Sequence, residues 1–243
     1  DRDDQAVVDM NYRIAAMAAK YHMLVDFHGM YKPTGFNRTY PNVINFEGIF
    51  GLEQSKWSPE DMVSFDVTFP YIRMMAGPVD YTQGGMRNAV KADFFPVYNN
   101  PMAAGTRAHQ VATYVVFDSP LVMLCDNPTA YMKEQETTSY IAGIPTVWDE
   151  TRIVDGKIGE YIVSVRRNGD NWYAGALTNW TPRTVTLDLS FLEPGRTYKA
   201  RIFRDGVNAH RHATDYKIEE REVTGKDVLT LPLSPGGGFA ICF

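Results

Sequence analysis

Cysteine is nearly missing from this chain of 243 residues: only Cys125 and Cys242 are present, far apart and without Cys-x-x-Cys or Cys/His spacing. A zinc site or dithiol redox motif is therefore not expected, and both thiols read as small, buried apolar groups. Long apolar runs are missing too. None approaches the roughly 18 residues needed to span a bilayer, so no membrane span is expected, and no charged-then-apolar leader opens the chain. It begins at Asp1 and not at methionine, so a leader can have preceded it. Positive charge is scarce: 24 Lys and Arg stand against 29 Asp and Glu, a net charge of −5. The basic residues are scattered and form no stripe that could follow a phosphate backbone, so a nucleic-acid partner is not expected. Uncharged carbohydrate fits this balance better.

What is present is ordinary globular material, 44% hydrophobic, enough for one or two domains with real cores. Residues 3–21 read as a helix, because Val7, Met10, Ile14, Met17 and Tyr21 recur three and four apart and Asp3 or Asp4 can cap the start. Residues 22–27 have the length of a buried parallel strand ending at His28-Gly29. A second run, 43–46, ends at Glu47-Gly48, and a third, about 72–79, ends at Asp80-Tyr81. Helical patterns follow at 107–117 and, more weakly, at 120–125 and 131–141. Helices alternating with buried strands suit either a β/α barrel or a doubly wound sheet.

From about residue 148 the period becomes two. Residues 161–165 lead through Asn168-Gly169-Asp170-Asn171 into 172–177, a hairpin pattern. Val185, Leu187, Leu189 and Phe191 alternate on one face, and turns at Pro194-Gly195, Asp205-Gly206 and 236–238 space further short strands. This is the pattern of an antiparallel β-sandwich, so the chain divides into 1–147 and 148–243. The first part is short for a closed (β/α)8 barrel, which takes roughly 250 residues. Either it is a small open sheet, or the chain is the carboxyl-terminal portion of a longer enzyme.

The densest chemistry lies between Asp26 and Trp57. There His28, Glu47 and Glu53 stand among Tyr and Trp rings and glycines, at the ends of the apolar runs. Carboxylates and rings at strand ends are what is needed to hold a sugar and protonate its leaving oxygen.

In order and spacing, DRDDQ at 1–5, HG at 28–29, KPTG at 32–35, RTYPN at 38–42, EGIFGLEQSKW at 47–57 and AGPVDYTQGG at 76–85 resemble glycoside hydrolase family 97. The resemblance implies an exo-acting α-glycosidase with a calcium ion. Its fold would be the last strands and helices of a catalytic (β/α)8 barrel, about strands 6 to 8, followed by an antiparallel β-sandwich. It implies a missing amino-terminal part of the same enzyme, and a periplasmic or secreted setting.

Carried over residue by residue, Glu53 matches the family's general acid/base, the second glutamate of E-G-x-x-G-x-E. A glycosidic oxygen leaves poorly unless protonated, and a carboxylic acid serves if burial or a nearby charge keeps its proton on. Glu47 matches a calcium ligand, with Glu53 also touching the metal. Two carboxylates fall short of six to eight oxygen ligands, so water, substrate or other segments must complete the set. The alternative for Glu47 is a simple ion pair with Arg38 or Lys32. His28 resembles the substrate-contacting histidine, and Lys32 can hold a sugar hydroxyl. Asp80 and Tyr81 are weaker candidates.

Gly29 stands where inverting α-glucosidases of the family carry a glutamate base. A glycine cannot activate water, so the chain resembles the retaining branch, which includes α-galactosidases and uses an aspartate nucleophile. That aspartate is expected upstream of residue 1; Asp1, Asp3 and Asp4 read as loop or cap residues. The expected substrate is an oligosaccharide or glycoside with a terminal α-galactose. The alternatives are an inverting α-glucosidase or a non-catalytic carbohydrate-binding fragment. Met74-Met75 and Trp57 read as core packing. Trp172, Trp180 and Tyr198 read as core more readily than as a sugar platform, and His210 and His212 as solvent-facing.

Overall fold

The computed structural model describes residues 2–243; Asp1, read above as a loop or cap residue, lies outside them. The chain opens with helix α1 (Gln5–Lys20), then the short parallel pair β1 (Val25–Phe27) and β2 (Val43–Phe46) with helix α2 (Phe36–Thr39) between them. Asp4 sits at the amino-terminal cap of α1 without making a side-chain cap bond. The apolar face read from the sequence is the wrong one for packing here: Met10, Ile14, Met17 and Tyr21 are exposed, while Asn11 and Ala15 face inward. Small Ala15 lets the helix approach Phe27, Phe36, Val43 and Phe46, and Tyr12 stacks on Phe36 at 4.3 Å between ring centroids.

The first strand is shorter than expected. His22 adopts a left-handed φ of 55°, and Met23 and Leu24 are exposed, so the strand starts only at Val25. The third run is not a strand. Just after a turn of 3-10 helix at Phe69–Tyr71, its first part winds into another (Arg73–Ala76), and only 78–81 run extended beside β2, where Asp80 N donates to Phe46 O at 2.9 Å. Residues 120–125 form no helix.

Helix α3 (Met62–Asp66) precedes the 3-10 turns, and the two-residue parallel pair β3 (Asn88–Ala89) and β4 (Ala103–Ala104) comes after the extended segment. Helix α4 (Arg107–Val116) follows, then α5 (Pro128–Lys133) and α6 (Gln135–Ala142). Helices α3, α4 and α5 start where Asp61, Thr106 and Asn127 accept from the backbone N–H of Ser64, His109 and Ala130, the expected remedy for unpaired amides at a helix start. Every residue of α4 is buried.

The remaining chain is antiparallel: β5 (Glu150–Lys157), β6 (Tyr161–Asn168), β7 (Asn171–Thr178), β8 (Arg183–Asp188), β9 (Thr197–Asp205), β10 (Tyr216–Thr224), β11 (Val228–Leu233) and β12 (Gly238–Cys242). Six of these form one sheet in the order β10-β9-β12-β7-β6-β5, and β8 pairs with β11 as a separate ribbon. The Asn168↔Asn171 pair closes the β6–β7 hairpin over Gly169-Asp170, with Gly169 at φ 58° as such a tight turn requires. Val185, Leu187, Leu229 and Leu231 of the ribbon meet Val163, Ala174, Ile202 and Ile241 of the sheet in one apolar core. On the other face, Ile162 and Leu177 pack with Leu52, Val79, Tyr81, Ala112 and Val116. That second core ties the sheet to the first part of the chain. A Cβ on Gly175 would lie 2.8 Å from Val115 Cβ, so this glycine sets how closely α4 approaches the sheet.

Several smaller readings are settled here. Trp172 and Tyr198 are core residues of the sheet, and His210 and His212 are exposed. Met75 and Trp57 are exposed and not core, and Cys125 is exposed and Cys242 half-buried, with both thiols free. Trp57 stands beside Tyr98 at 6.1 Å, and its indole N–H bonds Gln54. No helix among the described residues is long and apolar enough to cross a membrane.

Candidate active site

Three chain segments end side by side. In β1 the alternation sends Phe27 into the aromatic core beneath and Asp26 to the opposite face; the register with β2 pairs Asp26 with Asn45 and Phe27 with Phe46. Glu47 N then donates to Phe27 O at 2.8 Å, and Asp80 N to Phe46 O at 2.9 Å. His28 and Glu47 thus directly follow β1 and β2, and Asp80 lies beside them near the carboxyl end of the third extended segment.

The chain leaves both strands through glycines with left-handed φ, Gly29 at 62° and Gly48 at 40°. Gly29 N donates to Glu47 Oε2, which fixes one carboxylate oxygen directly beside His28. Neither Arg38 nor Lys32 forms an ion pair with Glu47 among the described residues, so the ion-pair alternative is replaced by this backbone contact. A Cβ on Gly48 would fall 2.8 Å from Tyr31 O and 2.9 Å from Lys32 N, so the backbone of exposed Lys32 runs directly against the turn after Glu47.

Arg73 holds this rim from below. Its buried guanidinium donates to the carbonyls of Phe46 (3.2 Å), Glu47 (3.2 Å), Gly48 (2.9 Å), Gly77 (3.1 Å) and Pro78 (3.0 Å). Burial lowers its pKa to about 10, still far above neutrality, so it remains a cation serving only main-chain oxygens.

His28 Nε2 lies 2.6 Å from Asp80 Oδ2 and 4.0 Å from Asp26 Oδ2. The His28 side chain is 41% exposed, whereas those of Asp26 and Asp80 are 5% and 0% exposed. Burial, reinforced by a hydrogen bond to Asp80 and by its charge, pushes Asp26 up to about 7. For His28 burial acts downward, but the Asp80 hydrogen bond and the charges of Asp80, Glu47 and Asp26 outweigh it and the net shift is upward. Sequence reading passed over Asp26 and ranked Asp80 low. Their signal was their position at the ends of extended runs.

Glu53 occupies a neighbouring place. Leu52 N donates to Tyr81 O at 3.0 Å and starts a turn of 3-10 helix (Leu52–Lys56), from which Glu53 projects, exposed, into a pocket of about 160 Å³. Ser55, Lys56, Thr82, Met102 and Asp126 also line it. Thr82 joins the two places: its N–H donates to Asp80 Oδ1 at 3.3 Å, and its φ of 59°, costly for a β-branched residue, turns it to the Glu53 pocket. Tyr81 itself is fully buried and contacts no substrate space. The desolvation expected around a general acid is not supplied by this chain's own neighbours of Glu53.

For a hard cation the fit is partial. Among the described residues, the one set of three such side chains whose ligand atoms lie within 4.8 Å of one another is Asp26, His28 and Asp80, without Glu47 or Glu53. Calcium takes six to eight oxygens, so these residues alone do not build a calcium site.

Comparison with known proteins shows what the chain is similar to. Residues 1–49 match the model for glycoside hydrolase 97, and residues 147–243 match the one described as glycosyl-hydrolase 97 C-terminal, oligomerisation. A retaining alpha-galactosidase of Bacteroides thetaiotaomicron is 55% identical over 99% of this chain, which covers 37% of that protein. A probable retaining alpha-galactosidase of Streptomyces bingchenggensis is 27% identical over 99% of the chain, covering 34% of that protein. A family 97 enzyme from Pseudoalteromonas sp. strain K8, in complex with acarbose, superposes with a TM-score of 0.87 at 34% identity over 100% of this chain and 38% of its own. The chain thus spans somewhat over a third of the relatives it matches. Two models of one family, from the first residue and through the whole antiparallel part, place the chain in glycoside hydrolase family 97.

Proposed function

We propose that this chain is the carboxyl-terminal part of a retaining exo-α-galactosidase, comprising the last strands of its (β/α)8 barrel and a terminal β-sandwich. The observation that carries the reading is the convergence of His28, Glu47 and Asp80 at the carboxyl ends of three adjacent extended segments, next to the pocket of Glu53. Such an end of parallel strands is where barrel enzymes place their chemistry. Gly29 removes the carboxylate that an inverting enzyme needs beside His28, and the 55% identity to a retaining alpha-galactosidase supports the same choice.

In the first step an aspartate upstream of residue 1 attacks the anomeric carbon. The bond to the leaving oxygen breaks as Glu53 gives that oxygen its proton. In the second, ionised Glu53 takes a proton from water as it attacks the same carbon and frees the aspartate. His28 and Lys32 hold sugar hydroxyls. Glu47, together with Glu53, would hold the calcium ion, with the remaining oxygens drawn from water, substrate or the rest of the enzyme, and the ion would supply positive charge beside the substrate. By family resemblance the enzyme is periplasmic or secreted.

The test is proton NMR of the first sugar released from an aryl α-galactoside by the full-length natural enzyme. Early α-galactose supports the proposal. Early β-anomer, or turnover of α-glucosides alone, overturns it in favour of the inverting α-glucosidase.

A further inference from the structure

The Asp80–His28 contact has a feature that sugar binding by His28 does not require: a fully buried carboxylate backed by a second one. Both Asp26 oxygens are buried without a hydrogen-bond donor, and a carboxylate oxygen of Asp26 lies within 4.8 Å of one of Asp80. Two carboxylates packed together in a buried place repel unless one proton lies between them. A single proton on Asp26, donated to Asp80, satisfies both groups. Asp80 accepts as well from His28 Nε2–H at 2.6 Å and from Thr82 N–H at 3.3 Å. The rise of the Asp26 pKa to about 7 has the same sign.

Because Nε2 is turned to a side chain that is 0% exposed while His28 itself is 41% exposed, the free edge of the ring is the one bearing Nδ1. We propose that Asp80 is a positioning residue: braced by Asp26, it holds the Nε2–H edge of His28 inward and leaves Nδ1 to accept from a hydroxyl of the bound sugar. The acidic side chains facing the ring are Asp80, Asp26 and Glu47. Thr82 carries the same anchor to the Glu53 pocket, so one buried carboxylate sets both the sugar contact and one wall beside the acid. The sugar contact rests on the galactosidase reading. The anchoring of the ring does not.

The experiment is ¹⁵N-edited NMR of the protein at a pH where the ring keeps its Nε2–H, with His22 and His210, both exposed, as internal references. The Nε2–H of His28 is expected as an exchange-protected low-field resonance. It should be retained in Asp80→Asn, whose amide oxygen still accepts, and in Asp26→Asn, whose amide still donates to Asp80. Asp80→Ala should speed its exchange at least about tenfold, as the loss of one charge-assisted bond implies. Should Asp80→Ala fail to fold, Asp26→Leu gives the second reading, with faster exchange expected once Asp80 loses its donor. An Nε2–H that exchanges in the wild type as fast as those of His22 and His210 overturns the proposal. So does displacement of that proton by equimolar Zn²⁺, which would make Asp26, His28 and Asp80 a metal site. In the full-length enzyme Asp80→Ala should raise KM for an aryl α-galactoside more than it lowers kcat, the reverse of a Glu53 variant, and Asp80→Asn, which keeps the acceptor, should leave KM near the wild-type value. A wild type inactive on α-galactosides would sink the functional reading alone, because the exchange measurement needs no turnover.

Discussion

Arg73 Nη2 donates to the main-chain carbonyl of Glu47 at 3.2 Å, so the backbone that carries one candidate site carboxylate hangs from a buried cation. Four further carbonyls share the same guanidinium. Lysine offers one ammonium where arginine offers a planar fork, and cannot reach them all. Arg73→Lys should therefore cost about 3 kcal/mol or more, since each buried carbonyl left unpaired costs about 1–3 kcal/mol. Urea denaturation checks this; an unchanged midpoint would mean that the rim holds itself.

Beneath the rim, Phe36 is fully buried among Tyr12, Phe27, Tyr40 and Phe46. Phe36→Ala should destabilise the protein by about 3–5 kcal/mol, the usual cost of emptying an aromatic site. The same denaturation experiment measures it.

The two glycines after the strands should respond differently to alanine. At Gly29 a Cβ meets nothing within 4 Å, so only the left-handed φ opposes it, at about 1–2 kcal/mol. At Gly48 the backbone of Tyr31 and Lys32 stands within 2.9 Å of that Cβ, and the turn after Glu47 must move. Gly48→Ala should lose clearly more stability than Gly29→Ala. Equal losses in paired unfolding curves would contradict the close approach.

How much of this was legible beforehand depends on how local each cause is. The β6–β7 hairpin and helix α4 declared themselves through a turn and a periodicity contained in a few residues. The packing face of α1 did not, because the core takes small Ala15 and polar Asn11 in preference to the larger Met and Ile side chains. The third run looked like a strand by its apolar content, but the 3-10 turn at Arg73–Ala76 spends most of it on other geometry. At the site, His28, Glu47, Glu53 and Lys32 stood out by motif. The Asp26–Asp80 partnership joins positions distant in sequence and leaves no spacing to read.

In the antiparallel sheet, Glu219 bonds Arg204, Lys217 and Arg221, which depress its pKa from 4.5 to about 2. A carboxylate with a depressed folded pKa contributes stability that is present above the unfolded value and is lost as pH falls toward the folded one. Glu219→Gln should thus lower Tm at pH 7, and the difference from wild type should shrink between about pH 4.5 and pH 2. A difference independent of pH across that window would show that the charge is not the cause.

The role of Glu53 as proton donor is tested most directly by steady-state kinetics of the full-length enzyme and its Glu53→Gln variant on α-galactosides of graded leaving-group quality. The account predicts a fall in kcat/KM of about 10²–10⁴-fold on substrates with poor leaving groups, and a much smaller fall on activated aryl galactosides that depart without a proton. Normal turnover of the poor substrates by Glu53→Gln would contradict it.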